Sequence, residues 1–259
     1  MRKEIQQFAA STTLEGMTSI RALLHAKEAG NNDRPIFAIL YDRDRLQKIG
    51  KDLSYIRAVS QKYGYDVIES TSDELEELTI GNTHGGLIAL CGERTLPSLL
   101  EVPNEIKPNG FYALIEGIED PYNFGYAIRS LYACGVDGII LGERNWLSAT
   151  GVVARASAGA SETLSVFRAS ATEAISYFKN HGYTTVAADL RTEHTLGTTT
   201  LKKPLLLVAG GEKRGISRAV LEEVDLKVKI PYAAPFHASL SAASAVTMFA
   251  YEIMRQNLE

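Results

Sequence analysis

Two cysteines, Cys91 and Cys134, are all that this chain of 259 residues contains. Far apart in sequence, they make neither a disulfide framework nor a metal-ligand pattern. The five histidines add no HExxH or comparable spacing, so no metal is expected. No stretch approaches the ~20 apolar residues of a membrane span. The N-terminal "MRKEIQQFAASTTLEGM" lacks the apolar core of a secretory signal. The expectation is a cytoplasmic protein without a membrane partner. Positive charge is not in surplus either: the formal net charge is −4. General nucleic-acid binders carry a basic excess, but a local patch on an acidic protein still suffices for RNA. "LKKP" (201–204) and "GGEKRGISR" are the candidates for such a patch, against the plainer reading of solvated loop charges.

What is present is a globular composition, 45% hydrophobic and 22% charged, in a chain long enough for two domains. The break is expected near "EVPNEIKPNG" (101–110), where prolines, asparagines and a glycine cluster. This gives domains of residues 1–104 and 105–259. The first is a small α/β layer. Helices are expected at 17–29, 53–63 and 73–79, and strands at 35–41, 65–70 and 85–92. Its histidines, His25 and His84, stand alone and read as structural or solvent-facing. The second domain alternates strands (111–117, 138–142, 164–168, 184–190, 204–210, 226–231) with helices (123–134, 150–158, 171–181, 216–223, 239–256). That rhythm predicts a parallel sheet covered on both faces, with ligands beyond the carboxyl ends of its strands.

Three segments carry polar or small residues at those ends. In "DPYNFGYAIRSLYACG", Phe124, Ala127, Ile128 and Leu131 form a core-facing helical stripe. Asn123 stands at the helix mouth and Arg129 six residues on, a rise of ~9 Å that a long side chain sloping toward the N-terminus can span. The plainer readings are an asparagine N-cap and an exposed helix arginine. Gly125 leaves room in the first turn. In "PLLLVAGGEKRGIS" (204–217) a buried strand runs into Gly210-Gly211 and Glu212. Glycines there allow a ligand close to the backbone, or simply make a turn. Neither GxGxxG nor GxxxxGK[ST] occurs here, which disfavours a dinucleotide or P-loop site. In "IPYAAPFHASLSAASAVTMFAYEIMRQ" (230–256), a run of small residues opens a helix whose core stripe is Ala242, Val246, Phe249, Ala250 and Ile253. Small residues permit close contact with a flat ligand or with a neighbouring helix.

Taken in order, these three segments resemble the motifs of the SpoU-type (TrmH-like) RNA ribose 2′-O-methyltransferases of the SPOUT class. "RASAGA" also fits, and "THGGLIAL" (83–90) resembles the end of that family's N-terminal RNA-binding domain. The resemblance implies an α/β fold in which a small RNA-binding domain precedes a SPOUT domain with a parallel sheet and a deep trefoil knot. It implies S-adenosyl-L-methionine as cofactor, rRNA or tRNA as substrate, and a homodimer. Asn123, Arg129 and Glu212 match the catalytic positions. Ala209, Gly210, Gly211, Ile230 and Leu240 match the cofactor-binding ones, and Ser239 and Ser241 would face the substrate. A guanidinium only donates hydrogen bonds and stays protonated. Arg129 is therefore expected to favour alkoxide charge, with Glu212 holding it or taking the proton. One departure stands out: the third motif usually reads Ser-Leu-Asn, and here Ser239-Leu240 is followed by Ser241. It motivates a second reading, a knotted RNA-binding protein whose catalysis is weak or lost.

Overall fold

The computed structural model describes residues 12–79, 84–102, 105–142, 149–211 and 214–258. The chain divides into two compact units, one comprising Met1–Thr95 and Trp146–Thr163, the other Leu96–Asn145 and Leu164–Glu259. This partition departs from the expected 1–104 and 105–259 in two places. The break follows Thr95, and a segment that leaves the second unit after its second strand packs with the first.

The first unit holds a four-stranded sheet of β1 (Thr12–Glu15), β2 (Ile36–Asp42), β3 (Asp66–Ser70) and β4 (Leu87–Cys91) in the order β1-β4-β2-β3. Only β2 and β3 run parallel. Helix α1 (Gly16–Glu28) buries Ile20, Leu23 and Leu24. Helix α2 (Leu46–Tyr63) buries Ile49, Leu53 and Ile56, one turn apart, and ends at Gly64, whose φ of 70° suits the left-handed C-terminal position. It starts two turns before the expected Leu53, because "RLQKIGKD" has a single buried apolar residue per turn and reads as polar. Helix α3 (Ser72–Glu76) opens with a capping box between Thr71 and Glu74. Helices α5 (Thr150–Ala156) and α6 (Ala160–Thr163) complete this unit. Ala154 joins the core with Leu14, Leu23 and Cys91. A side chain at Gly151 would collide with the Thr13 carbonyl oxygen. Glu162, 2% exposed, pairs with Arg34, 3% exposed, at 2.8 Å.

The second unit is built on six parallel strands: β5 (Phe111–Glu116), β6 (Gly138–Leu141), β7 (Ser165–Arg168), β8 (Thr184–Ala188), β9 (Leu205–Gly210) and β10 (Leu226–Val228). Their order is β10-β8-β9-β5-β6-β7. The parallel sheet is as expected, with strand limits within two or three residues. Near-continuous apolar runs such as "FYALI" and "LLLVA" are buried on both faces. Tyr112, Leu114, Leu206 and Val208 pack in one core with residues of α7 (Ala171–Asn180) and α8 (Arg218–Glu223). Alternation along a strand sends their neighbours to the opposite face, where α9 (Ala242–Gln256) packs on β9 and on α4 (Pro121–Ala133). The chain moves outward from β5 to β6 and β7, then returns to the far side of β5 with β8 and β9. The reversal therefore falls between β5 and β9, the place where open parallel sheets bind ligands.

Candidate active site

Register fixes the first part of the site. Glu116 of β5 stands opposite Gly210 of β9, and the Gly211 amide donates to the Glu116 carbonyl at 2.8 Å. Both strands thus end level. A side chain at Gly211 would collide with the Gly117 carbonyl oxygen, and one at Gly210 with the backbone of Gly215 and Ile216. The two glycines were expected to admit a ligand. A further demand comes from the protein's own backbone, which passes here without room for a Cβ.

Four residues beyond Gly117, α4 begins. Asp120 is its N-cap, accepting from the Asn123 amide at 2.9 Å, and Pro121 takes the first helical position. The reading of Asn123 as the cap is therefore corrected. It lies at the third helical position, half-buried. Two acids stand in a row before the helix, Glu119 and Asp120, and proline's preference for the first helical position singles out Asp120. Phe124, Ala127, Ile128 and Leu131 are buried as expected. Arg129 is exposed and has no hydrogen-bond or ion-pair partner among the described residues. Glu212 lies outside the described residues, between Gly211 and Arg214, so its side chain is not placed.

A cavity of about 240 Å³ opens beyond the ends of β8, β9 and β10. Ala209, Gly210, Gly211, Ile230 and Leu240, the five residues expected to hold a cofactor, all line it, as does Ser239. Asn123, Arg129 and Ser241 do not. Ser241 is instead the N-cap of α9, its hydroxyl accepting from the Ser244 amide at 3.1 Å. Leu207, Val228, Val246 and Phe249 give the cavity an apolar floor. Its volume approaches the lower end of ligand pockets, about 300 Å³.

Polar groups on the cavity wall escaped the sequence reading. Asp189 follows directly on β8, its side chain 12% exposed, and one carboxylate oxygen accepts from the backbone amide and Nε of Arg191, each at 3.2 Å. Arg191, Arg214, Lys229 and Tyr232 also line the space. A rule already applied to β5 and β9, that ligands meet strand ends, would have pointed to Asp189 and Arg191 after β8 had it been applied there. The arrangement offers apolar walls for a flat ring, a carboxylate for hydroxyl or ammonium donors, and cations for an anionic group.

The model of the SpoU rRNA Methylase family matches residues 110–251. The chain belongs to that family. A Staphylococcus haemolyticus protein named for the TrmH family of tRNA/rRNA methyltransferases is 34% identical over 144 residues, covering 55% of this chain and 57% of the relative. The chain therefore spans little more than half the length of that relative. A Bacillus subtilis protein of the same family name, YacO, is 28% identical over 202 residues, 76% of this chain and 80% of its own. Among solved structures, the rRNA methyltransferase of Sinorhizobium meliloti with AdoMet bound superposes with a TM-score of 0.77 at 23% identity, covering 100% of this chain and 92% of that one. AviRb, a SpoU methyltransferase from Streptomyces viridochromogenes in complex with AdoMet, gives 0.77 at 23%, covering 99% and 94%. At such identity the likeness is one of fold.

Proposed function

We propose that this chain transfers a methyl group from S-adenosyl-L-methionine to a ribose 2′-hydroxyl of rRNA or tRNA. One observation carries the reading: residues from segments remote in sequence, around Gly210, Ile230 and Leu240, line a single cavity at the strand ends. The cavity suits the cofactor chemically. Its apolar floor matches an adenine ring, Asp189 can accept from a hydroxyl or ammonium, and Arg191, Arg214 or Lys229 can pair with a carboxylate. When bound, the cofactor supplies an electrophilic methyl group on a sulfonium.

The chain's own residues must then orient the ribose and stabilise charge on its oxygen. Arg129 has its donors unengaged among the described residues. It is assigned to the hydroxyl or an adjacent phosphate, where fixed donors favour developing negative charge. Asn123, on the same helix, orients the ribose or the guanidinium. Glu212, two residues past β9, holds Arg129 or accepts the proton. Ser239 and Ser241 are assigned to the substrate side, Ser241 through the helix start that it caps.

The reading extends to a trefoil knot in the second unit, RNA binding by the first unit, and a cytoplasmic homodimer. Support for the dimer comes from α4 and α9, which pack together and expose Tyr126, Tyr132, Met248 and Tyr251. Aromatic residues and methionine are enriched at protein interfaces.

Calorimetry with S-adenosyl-L-methionine and transfer of labelled methyl to RNA test the proposal together. Arg129→Lys is expected to bind cofactor normally and to lose about 100-fold in transfer, the scale of one lost charge-stabilising donor. Full activity in that variant removes Arg129 from the chemistry, and absence of cofactor binding by the natural protein overturns the whole reading. The alternative, RNA binding without catalysis, draws on Ser241. Since serine and asparagine cap helices equally well, the observed capping role weakens that motive. Transfer by the natural protein would exclude it.

A further inference from the structure

The loop between β10 and α9 keeps two aromatic rings near the cavity that the proposed chemistry does not use. Tyr232 lines the cavity, and Phe236 meets it edge-on from the outside, ring centroids 5.7 Å apart at 65°. Phe236 is 51% exposed. Its neighbours Ala233, Ala234, Pro235, His237 and Ala238 are exposed as well, so no second layer of side chains buries the ring. A tight turn, with the Phe236 amide donating to the Ala234 carbonyl at 2.8 Å, and the two flanking prolines at 231 and 235 restrict this stretch of backbone. An exposed phenylalanine in a preset turn loses little entropy when a flat partner covers it.

Charge indicates the class of partner. Arg191, Arg214 and Lys229 line the same cavity that Tyr232 lines. Rings for stacking beside cations for a phosphate backbone are the combination by which proteins hold unpaired nucleotides. We infer that Tyr232 and Phe236 form a stacking platform for an unpaired base of the RNA substrate, next to the nucleotide whose ribose is modified. The inference rests on the methyl-transfer reading and narrows it. The RNA would present its target in a loop, bulge or single strand, because a base held within a duplex has no free face.

The test uses the full-length protein with fluorescein-labelled single-stranded rA and rU oligonucleotides and a self-complementary RNA duplex of the same length, in the presence of S-adenosylhomocysteine. Phe236→Ala is expected to weaken single-strand binding by about tenfold, the scale of one lost aromatic–base stack, and to leave duplex binding unchanged. Phe236→Trp is expected to restore single-strand affinity, with its indole fluorescence quenched as RNA is added. Cofactor affinity by calorimetry and the elution volume of the protein are expected to match the natural protein in both variants. Equal loss on duplex and single strand, no loss at all, or no binding of any single strand by the natural protein overturns the platform. A shift in elution volume with Phe236→Ala assigns the ring to a second copy of the chain and also overturns it. Cofactor titration of the natural protein separates these outcomes from failure of the methyl-transfer reading, since only the latter abolishes the cofactor signal.

Discussion

Replacing Glu162 with glutamine removes a carboxylate from a buried polar cluster in the first unit. Glu162 Oε2 accepts from Arg34 Nε at 2.8 Å and from Asn32 Nδ2 at 3.0 Å. Arg34 also donates to the Gly92 carbonyl at 2.7 Å. Arg94, 8% exposed, lies in the same cluster, donating to the Ser161 and Asn31 carbonyls. Burial lowers the Arg94 guanidinium from its ordinary pKa while the Glu162 carboxylate opposes that shift. Glu162→Gln leaves the buried Arg34 without its paired carboxylate and turns an amide donor toward Arg34 or Asn32. Breaking such a pair costs about 3–5 kcal/mol, a large part of the 5–15 kcal/mol that roughly spans a domain's stability. The loss should be local, because the two units need not unfold together. Hydrogen exchange should rise in β2, β4 and α5–α6 while β5 and β9 keep their protection. Cofactor affinity should hold, since every residue lining the cavity belongs to the second unit. The double variant Arg34→Met/Glu162→Leu should be less destabilised than the two single changes summed. A loss below about 1 kcal/mol in Glu162→Gln, the value of a solvent-screened pair, would refute this account of the cluster.

Three further outcomes are expected. Ser241→Ala should cost about 1 kcal/mol in thermal or urea unfolding through loss of the α9 cap, whereas Ser241→Asn should keep stability and methyl transfer at or above the natural level. Gly211→Ala should weaken cofactor binding in calorimetry, because the added methyl must push β9 away from Gly117, and overpacking of this kind costs about 1–3 kcal/mol. Hydrogen bonds from Arg255 first, then from Gln256, hold the Glu252 carboxyl down to about 2 from an ordinary 4.5. A depressed folded-state pKa stabilises above the unfolded value and is lost as pH falls. Melting temperature should therefore drop between about pH 4.5 and 2 more steeply in the natural protein than in Glu252→Gln.

The second unit was legible because its strands are buried on both faces and its helices on one. Runs such as "PLLLVAG" and stripes such as Phe124–Ala127–Ile128–Leu131 admit a single periodicity. The first unit was less so. β1 is only four residues and pairs along one edge with β4, so "TTLE" carries no pattern of its own. The segment of α5 and α6, for which a single helix at 150–158 was expected, was assigned to the second unit because sequence order placed it there. Their partners, Thr13, Arg34 and Ala22, are long-range, and nothing local records such contacts. Within the site, the family resemblance located the cavity lining. Gly210 and Gly211 also answer to the protein's own backbone, a demand that could not be read from sequence. Sequence shows that a Cβ is missing, not which backbone takes its space.

The cavity itself follows from chain path more than from any one residue. β10 lies at the sheet edge, and α9 packs against β9 and α4. The Thr247 hydroxyl donates to Ser130 at 2.6 Å, fastening α9 to α4. The connection from Val228 to Ser241 must therefore cross the ends of β8 and β9, a distance of about 10 Å at the usual strand spacing. Ile230 and Leu240 sit near the two ends of that crossing, and both face the cavity. The segment needs backbone reach more than side-chain bulk, which accounts for its alanines, serines and prolines. The same geometry explains why no nucleotide-binding glycine pattern is required. The cavity wall is the underside of a loop strapped across a sheet, and what sets its height is the docking of α9 on α4, the helix that also carries Asn123 and Arg129.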